Sequence, residues 1–183
     1  MAGGAPTHTL DLMDATTTEL STAQEFRDAM ACIPMAVHVV ATDGPSGRSG
    51  LTASAVASVT DTPPTLLVCV NHSSRSNAIL KGNGVLTVNA LRADQHTLAE
   101  RFAGRAGGKD GDRFSEGGWT VLATGAPVLA SGLCTFDCRI VEMVEVGTHT
   151  VMFAEVVAIR RGSPADGLVY KDRRYGVAPH QPE

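Results

Sequence analysis

The sequence predicts a mainly β chain, an antiparallel barrel with a few peripheral helices. Three observations carry this. Four short strand patterns follow one another between residues 35 and 91, separated by turn residues. Two long strand patterns near the C-terminus are parted only by Gly147-Thr148-His149, a hairpin connection. No Gly-x-Gly-x-x-Gly follows a strand and no Gly-x-x-x-x-Gly-Lys-Ser/Thr is present, so the parallel α/β nucleotide folds have no support.

With 183 residues the chain is most simply one domain with room for a sizeable core. Hydrophobic residues make up 43% but aromatics only 4%, so Val, Ala, Leu and Ile must build that core. A net charge of −4 argues against a nucleic-acid surface, which would show a basic patch. No apolar run approaches the roughly 20 residues of a membrane span. No signal-peptide pattern is visible, so a cytoplasmic protein is expected. Cys134 and Cys138 are the closest cysteine pair. On a strand their Cα atoms would lie about 13 Å apart, beyond the roughly 7 Å reach of a disulfide. All four cysteines, Cys32 and Cys69 included, are expected to be buried thiols. No cluster has zinc-like spacing.

Residues 1–20 are small, polar and aperiodic and read as a flexible tail, the alternative being a segment that docks on a partner subunit. The main domain is expected to span 21–176, with a C-terminal tail over 177–183. Ser21 and Gln24 fit a capping box for a helix running to about Cys32, with Phe26, Met30 and Ile33 on one face and Pro34 ending it. Strands are expected at Met35 to Thr42, Gly50 to Thr60, Thr65 to Asn71 and Gly84 to Leu91. One helix, about Ser74 to Lys81, falls between the last two. A second, about Ala93 to Ala103, carries Leu98 and Phe102 at i, i+4. Gly104 to Gly111 reads as a mobile loop and Pro127 to Gly132 as a turn region. The hairpin strands are Cys134 to Val146 and Thr150 to Arg161. A short strand near Leu168 to Tyr170 and an arm complete the chain.

Two segments suggest chemistry together. Gly50-Leu-Thr-Ala-Ser-Ala-Val alternates small or apolar residues with hydroxyls, so a flat ring can approach the backbone at Thr52, Ala53, Ser54 and Ala55. Asn71-His-Ser-Ser-Arg-Ser-Asn follows an apolar strand and opens a helix. Ser74, Arg75 and Ser76 there would offer hydroxyls, free N–H groups and a fixed charge to a phosphate. A ring beside a phosphate suggests a mononucleotide such as a flavin. Each segment also has a plain reading: solvent-facing hydroxyls in one, an ordinary N-cap with a solvated arginine in the other. His149 at the hairpin either presents a ring nitrogen to a substrate or is an exposed turn histidine. His38, mid-strand, reads as structural. Tyr170 and Tyr175 flank Lys171-Asp-Arg-Arg174, which is either a phosphate-binding basic run with a stacking tyrosine or a solvated charge run. No hydrolytic motif stands out.

Further runs widen the pattern: Phe26-Arg-Asp-Ala-Met, Ser58-Val-Thr-Asp-Thr-Pro-Pro-Thr-Leu-Leu-Val-Cys-Val-Asn71, Val88-Asn-Ala-Leu, Arg101-Phe-Ala-Gly, Phe136-Asp-Cys, Val146-Gly-Thr-His149 and Gly167-Leu-Val-Tyr. With Gly50 to Val56, their order and spacing over about residues 22–176 resemble the flavin reductases of two-component monooxygenases. Similar members include the reductase of 4-hydroxyphenylacetate 3-monooxygenase and that of pyrimidine degradation. The resemblance implies an antiparallel, Greek-key-type split β-barrel that binds FMN or FAD and forms a homodimer. It implies reduction of that flavin by NADH or NADPH through direct hydride transfer, feeding a separate flavin-dependent monooxygenase. By position, Thr52, Ala53, Ser54 and Ala55 would border the ring. Asn71, Ser74, Arg75 and Ser76 would hold the phosphate end, and Phe102 would lie near the flavin. His149 would meet the nicotinamide, with Tyr175 close by. Where much of the family has Pro-Thr-Gly-Val, this chain has Pro34-Met35-Ala36-Val37, so Met35 is expected to alter the flavin pocket. The alternatives are a flavin- or haem-binding split barrel without reductase activity, and an FMN oxidase of the pyridoxamine-phosphate type.

Overall fold

A computed structural model describes residues 21–104 and 113–182. The expected N-terminal tail, and the Gly104 to Gly111 loop apart from Gly104, lie outside the described residues. Helix α1 spans Ala23–Ala31. Strands β1 (Met35–Ala36), β2 (His38–Thr42), β3 (Ser49–Ala53), β4 (Val56–Asp61) and β5 (Pro64–Asn71) follow. Helix α2 (Arg75–Asn83), β6 (Val85–Ala90), a 3-10 turn (Ala93–Gln95) and α3 (His96–Phe102) come next. The chain then forms β7 (Trp119–Val121), β8 (Pro127–Leu129), β9 (Cys134–Val146), β10 (His149–Arg161), β11 (Gly167–Lys171) and β12 (Arg174–Ala178).

Seven strands pair antiparallel in the order β3-β2-β6-β9-β10-β5-β4. The two edge strands, β3 and β4, are consecutive in sequence and joined only through Ser54 and Ala55. So short a link requires the sheet to curl until its edges meet, which is the barrel. The corner is pinned where Val56 N–H donates to Ser54 O (2.9 Å) and Cys69 N–H donates to Ala55 O (3.0 Å). The long strand expected over Gly50 to Thr60 is therefore two strands at opposite edges of one sheet. A small sheet, β1-β11-β12, and a pair, β7-β8, pack outside.

β2 is buried on both faces, and its alternation sends Val40 into the barrel and Val39 and Ala41 outward. Inside, Val40 joins Val68, Val70, Leu80, Leu86, Val88, Cys138 and Met152. Outside, Val39 and Ala41 join Val37, Leu91, Ala99, Phe102, Phe114, Leu129 and Leu168. Asn89, fully buried, pins β8 across this second layer. Its Nδ2 donates to Val39 O (3.0 Å), and its Oδ1 accepts from Leu129 N–H (2.8 Å) and Thr135 Oγ1 (2.9 Å).

Several boundaries differ from the sequence reading. The capping box sits one residue on, with Thr22 at the N-cap and Glu25 at N3. A carboxylate makes the stronger reciprocal bond to the cap N–H, so this frame wins over Ser21 and Gln24. Gly84 does not open a strand. It caps α2 with φ 66°, a conformation glycine adopts without strain. Pro127 to Leu129, expected as a turn, is a short strand against β7. His149 is the first residue of β10 rather than the turn itself. The C-terminal arm is strand β12, which closes a hairpin with β11. All four cysteines are free, but only Cys138 is buried. Cys32 is exposed because α1 buries none of its residues against the body. Burial pushes the Cys138 thiol up to about 12.

Candidate functional site

β3 is an edge strand, so half of its backbone polar groups face away from β2. Gly50 is one such residue: its carbonyl accepts from Ser76 Oγ (3.3 Å) and Arg113 Nη1 (3.4 Å). By alternation, Thr52 also turns its N–H and C=O outward. Along this edge lie two adjacent cavities, together called the groove, whose linings share Thr52 and Ala103.

One part, about 340 Å³, is lined by Leu51, Thr52, Ser74, Arg75, Ser76, Phe102, Ala103, Gly104 and Arg113. It faces the start of α2. The Ser74 hydroxyl makes no capping bond, and Arg75 opens the helix. Hydroxyl, first-turn N–H groups and two guanidinium groups could together hold an anion at this end. The other part, about 180 Å³, is lined by Val37, Thr52, Ala53, Ser54, Ala103, Tyr170 and Tyr175. Small side chains leave room there for a flat ring. The two tyrosines pack edge to face with centroids 5.3 Å apart.

The structure thus brings together Thr52, Ala53, Ser54, Ser74, Arg75, Ser76, Phe102 and Tyr175. Two of the hydroxyls are engaged elsewhere. Thr52 Oγ1 donates to Ala99 O (2.5 Å), fastening β3 to α3, so Thr52 offers the groove its backbone. Ser76, nearly buried, bonds Ser49 Oγ (2.9 Å) and Gly50 O, fastening α2 to β3. Neither part of the groove is lined by Ala55, Asn71 or His149. Ala55 is exposed at the barrel corner. Asn71 Oδ1 accepts from Ser73 N–H (2.8 Å) and Ser73 Oγ (2.7 Å), shaping the turn into α2. His149 pairs across from Asn71, half-buried, with Nδ1 2.9 Å from Thr148 Oγ1. His38 is half-buried on β2, its buried Nδ1 has no hydrogen-bond partner among the described residues, and burial pushes its pKa below the usual value. Beyond the expected residues the groove is lined by Val37, Leu51, Ala103 and Gly104, and by two with polar groups, Tyr170 and Arg113. The aromatic pair flanking the basic run was the signal for Tyr170. Met35 lies outside the ring end, in a neighbouring cavity.

A polar chain fixes the anion end. Asn77, one turn into α2 and 4% exposed, donates from Nδ2 to Val70 O and Thr150 Oγ1 (both 3.0 Å). Thr150 Oγ1 donates to Glu145 Oε2 (2.9 Å), and Glu145 also takes Lys81 Nζ (2.6 Å) and His72 Nε2 (2.5 Å). Lys81 first, then Thr150 and His72, hold the Glu145 carboxyl down at about 2, against an ordinary 4.5. A lowered folded-state pKa stabilises above the unfolded value, and that contribution disappears as pH falls toward the folded one. Stability from this group should therefore be complete above pH 4.5 and decline toward pH 2. Glu145→Gln should flatten that part of the acid limb, read as the urea midpoint against pH. An unchanged acid limb contradicts the assignment.

A ring-sized gap beside a cationic helix start could hold a mononucleotide, and comparison with known proteins bears on this. The flavin reductase like domain matches residues 30–179, and the chain belongs to that family. It is 51% identical over 160 residues to the FMN reductase (NADH) RutF of Ancylobacter novellus, covering 87% of each chain. Its fold superposes on BorF, the flavin reductase component of a bacterial two-component tryptophan halogenase. The TM-score there is 0.81, with 28% identity over 87% of this chain and all of that one. The NADH:FAD oxidoreductase SgcE6 of Streptomyces globisporus, solved with NAD and FAD fragments, matches with TM-score 0.76 and 27% identity over 84% of this chain and 90% of that one.

Proposed function

We propose that this chain is an NAD(P)H:flavin oxidoreductase that binds FMN or FAD along the β3 groove and releases it reduced to a separate flavin-dependent monooxygenase. The observation that carries this is the pair of adjacent cavities along β3, cationic at the α2 start and small-walled at the Ala53 end, in a member of the flavin reductase family. The residues present fit a flavin. Ser74, Arg75 and the first N–H groups of α2 suit its phosphate. The outward backbone of Thr52 suits the polar edge of its ring, with Ala53, Ser54 and Tyr175 around it. When bound, the flavin supplies the redox chemistry by taking hydride from the nicotinamide. The chain's part is to orient: β3 and α3 form the walls, and α2 anchors one end. His149 is assigned to the nicotinamide, delivered from the base of the β9–β10 hairpin. The relatives' names favour FMN and NADH as the preferred pair.

A homodimer belongs to this reading. Val141, Met143, Val144, Val146 and Ile159 expose apolar side chains on the paired strands β9 and β10, and Val59 exposes another on β4, beyond β5. Among the described residues no helix is long and apolar enough to cross a membrane, and the reading places the protein in the cytoplasm.

The test crosses both flavins with both nicotinamides in steady state and adds Arg75→Ala. Loss of a charge-assisted phosphate bond, about 1.5–3 kcal/mol, should raise the flavin KM about ten- to a hundred-fold with kcat at saturating flavin nearly intact. A collapse of kcat at unchanged flavin affinity overturns the anion-end assignment. Unchanged turnover and NADH KM in His149→Ala removes His149 from the nicotinamide.

A further inference from the structure

A separate cavity, about 350 Å³, lies where β10 ends, with Arg92, Ser131, Gly132, Arg160, Arg161 and Ser163 in its lining. We infer that it is a binding site for a small multivalent oxyanion of the polyphosphate or polycarboxylate class. It shares no lining residue with the groove or with the cavity at Met35, and its chemistry is independent of a flavin in either.

Three strand ends meet here. β6 runs out at Ala90, β9 begins at Cys134 and β10 ends at Arg161, with Ala90 paired to Cys134 and Cys134 to Arg161. Leu133 N–H donates to Ala90 O (2.9 Å) and Gly162 N–H to Leu133 O (2.8 Å), so the ladder runs one residue past the strands. Arg92, two residues beyond β6, is bridged to Gly167 at the start of β11. Part of the lining between these ends is bare backbone. A Cβ at Gly162 would lie 2.2 Å from Gly132 O, and one at Gly132 would lie 3.0 Å from Ala90 O. Close approach of backbone to backbone therefore keeps side chains out of this part of the cavity.

Charge is the second observation. Arg92, Arg160 and Arg161 line the cavity, and among the described residues of the lining there is no carboxylate, in a chain of net charge −4. Consecutive residues of a strand point to opposite faces, so a cavity reached by both Arg160 and Arg161 wraps around the end of β10. Arg92 Nε pairs with Asp94 Oδ1 (3.4 Å), and Ser131 Oγ accepts from Gln95 Nε2 (2.9 Å), so the turn after β6 steadies both. Guanidinium forks take carboxylate or phosphate oxygens two at a time. Three like charges around one cavity repel, and a ligand with several negative charges relieves that repulsion. Ala130 is the one apolar side chain of the lining, which favours a wholly polar ligand over a nucleoside.

Inorganic pyrophosphate and citrate are titrated calorimetrically into the full chain at about 150 mM salt, where exposed charges more than about 8 Å apart are screened. At least one should bind, one per chain, and the tighter of the two assigns the ligand to phosphates or to carboxylates. Arg160→Gln and Arg161→Gln should each weaken it about ten- to a hundred-fold, with the urea midpoint of the anion-free chain unchanged. Arg139→Gln removes the same charge from an exposed position on β9 outside the cavity, and should bind as the parent does. Absence of binding of either anion to the parent overturns the site. Equal weakening in all three variants overturns it too, because general attraction to positive surface would then be the cause. Loss of binding in Arg75→Ala but not in Arg160→Gln or Arg161→Gln places the anion at the start of α2, and this also overturns it.

Discussion

Phe102→Ala is expected to lower folding stability by about 3–5 kcal/mol, the range for removing a fully buried phenylalanine. Flavin affinity should fall in the same variant. Phe102 ends α3 and is 2% exposed. Its ring meets Phe114 edge-on at 5.0 Å and Trp119 at 5.5 Å, and Phe114 and Trp119 meet each other at 5.0 Å. Removing it leaves a void that the other two rings cannot fill without giving up their mutual geometry. The same ring is a wall of the groove's anion end. Urea unfolding and FMN titration on one sample check both halves. A stability loss with unaltered FMN affinity shows that the ring supports the core alone.

Gly50→Ala should have the next largest effect, although it adds one methyl group. A Cβ at Gly50 would lie 2.7 Å from Phe102 Cε1 and 3.2 Å from Phe114 Cζ. Those rings are clamped, so β3 must shift instead, at a cost of about 1–3 kcal/mol. The shift would carry away the Gly50 carbonyl that Ser76 uses to hold α2, so the groove should loosen too. The cost should shrink when Gly50→Ala is combined with Phe102→Leu, which clears the contact. Strictly additive losses in that double-mutant cycle contradict the clash.

Much of this was readable from residue order. β5 is apolar and bounded by Pro64 and Asn71, and α2 begins where Ser74 and Arg75 stand before a helical pattern, so the anion end was legible locally. The break at Ser54-Ala55 was not. Alternation of small and hydroxyl residues continues straight through it, and neither glycine nor proline marks it. The break exists because the sheet must close, which is a demand of the whole barrel. β8 was hidden by Pro127, which is tolerated at the start of a strand with one partner. Tyr170 reaches the ring end because β11 pairs with β1, setting Tyr170 against Met35 across more than a hundred residues. His149 shows the opposite case, since its neighbours in one chain are Asn71, Val146 and Thr148 and its assigned work lies beyond them.

The two-residue passage from β3 to β4 has a mechanical meaning. A barrel whose first and last staves are consecutive has a single seam, and here Ser54 stands on it. Ser54 also borders both the ring end of the groove and the cavity beneath α1. A ligand lying along the ring end of the groove would therefore rest against the junction of the two edge strands. That junction is tied by backbone hydrogen bonds from Val56 N–H to Ser54 O and from Cys69 N–H to Ala55 O, so the wall under the ring end is closed by a corner rather than by a strand ladder.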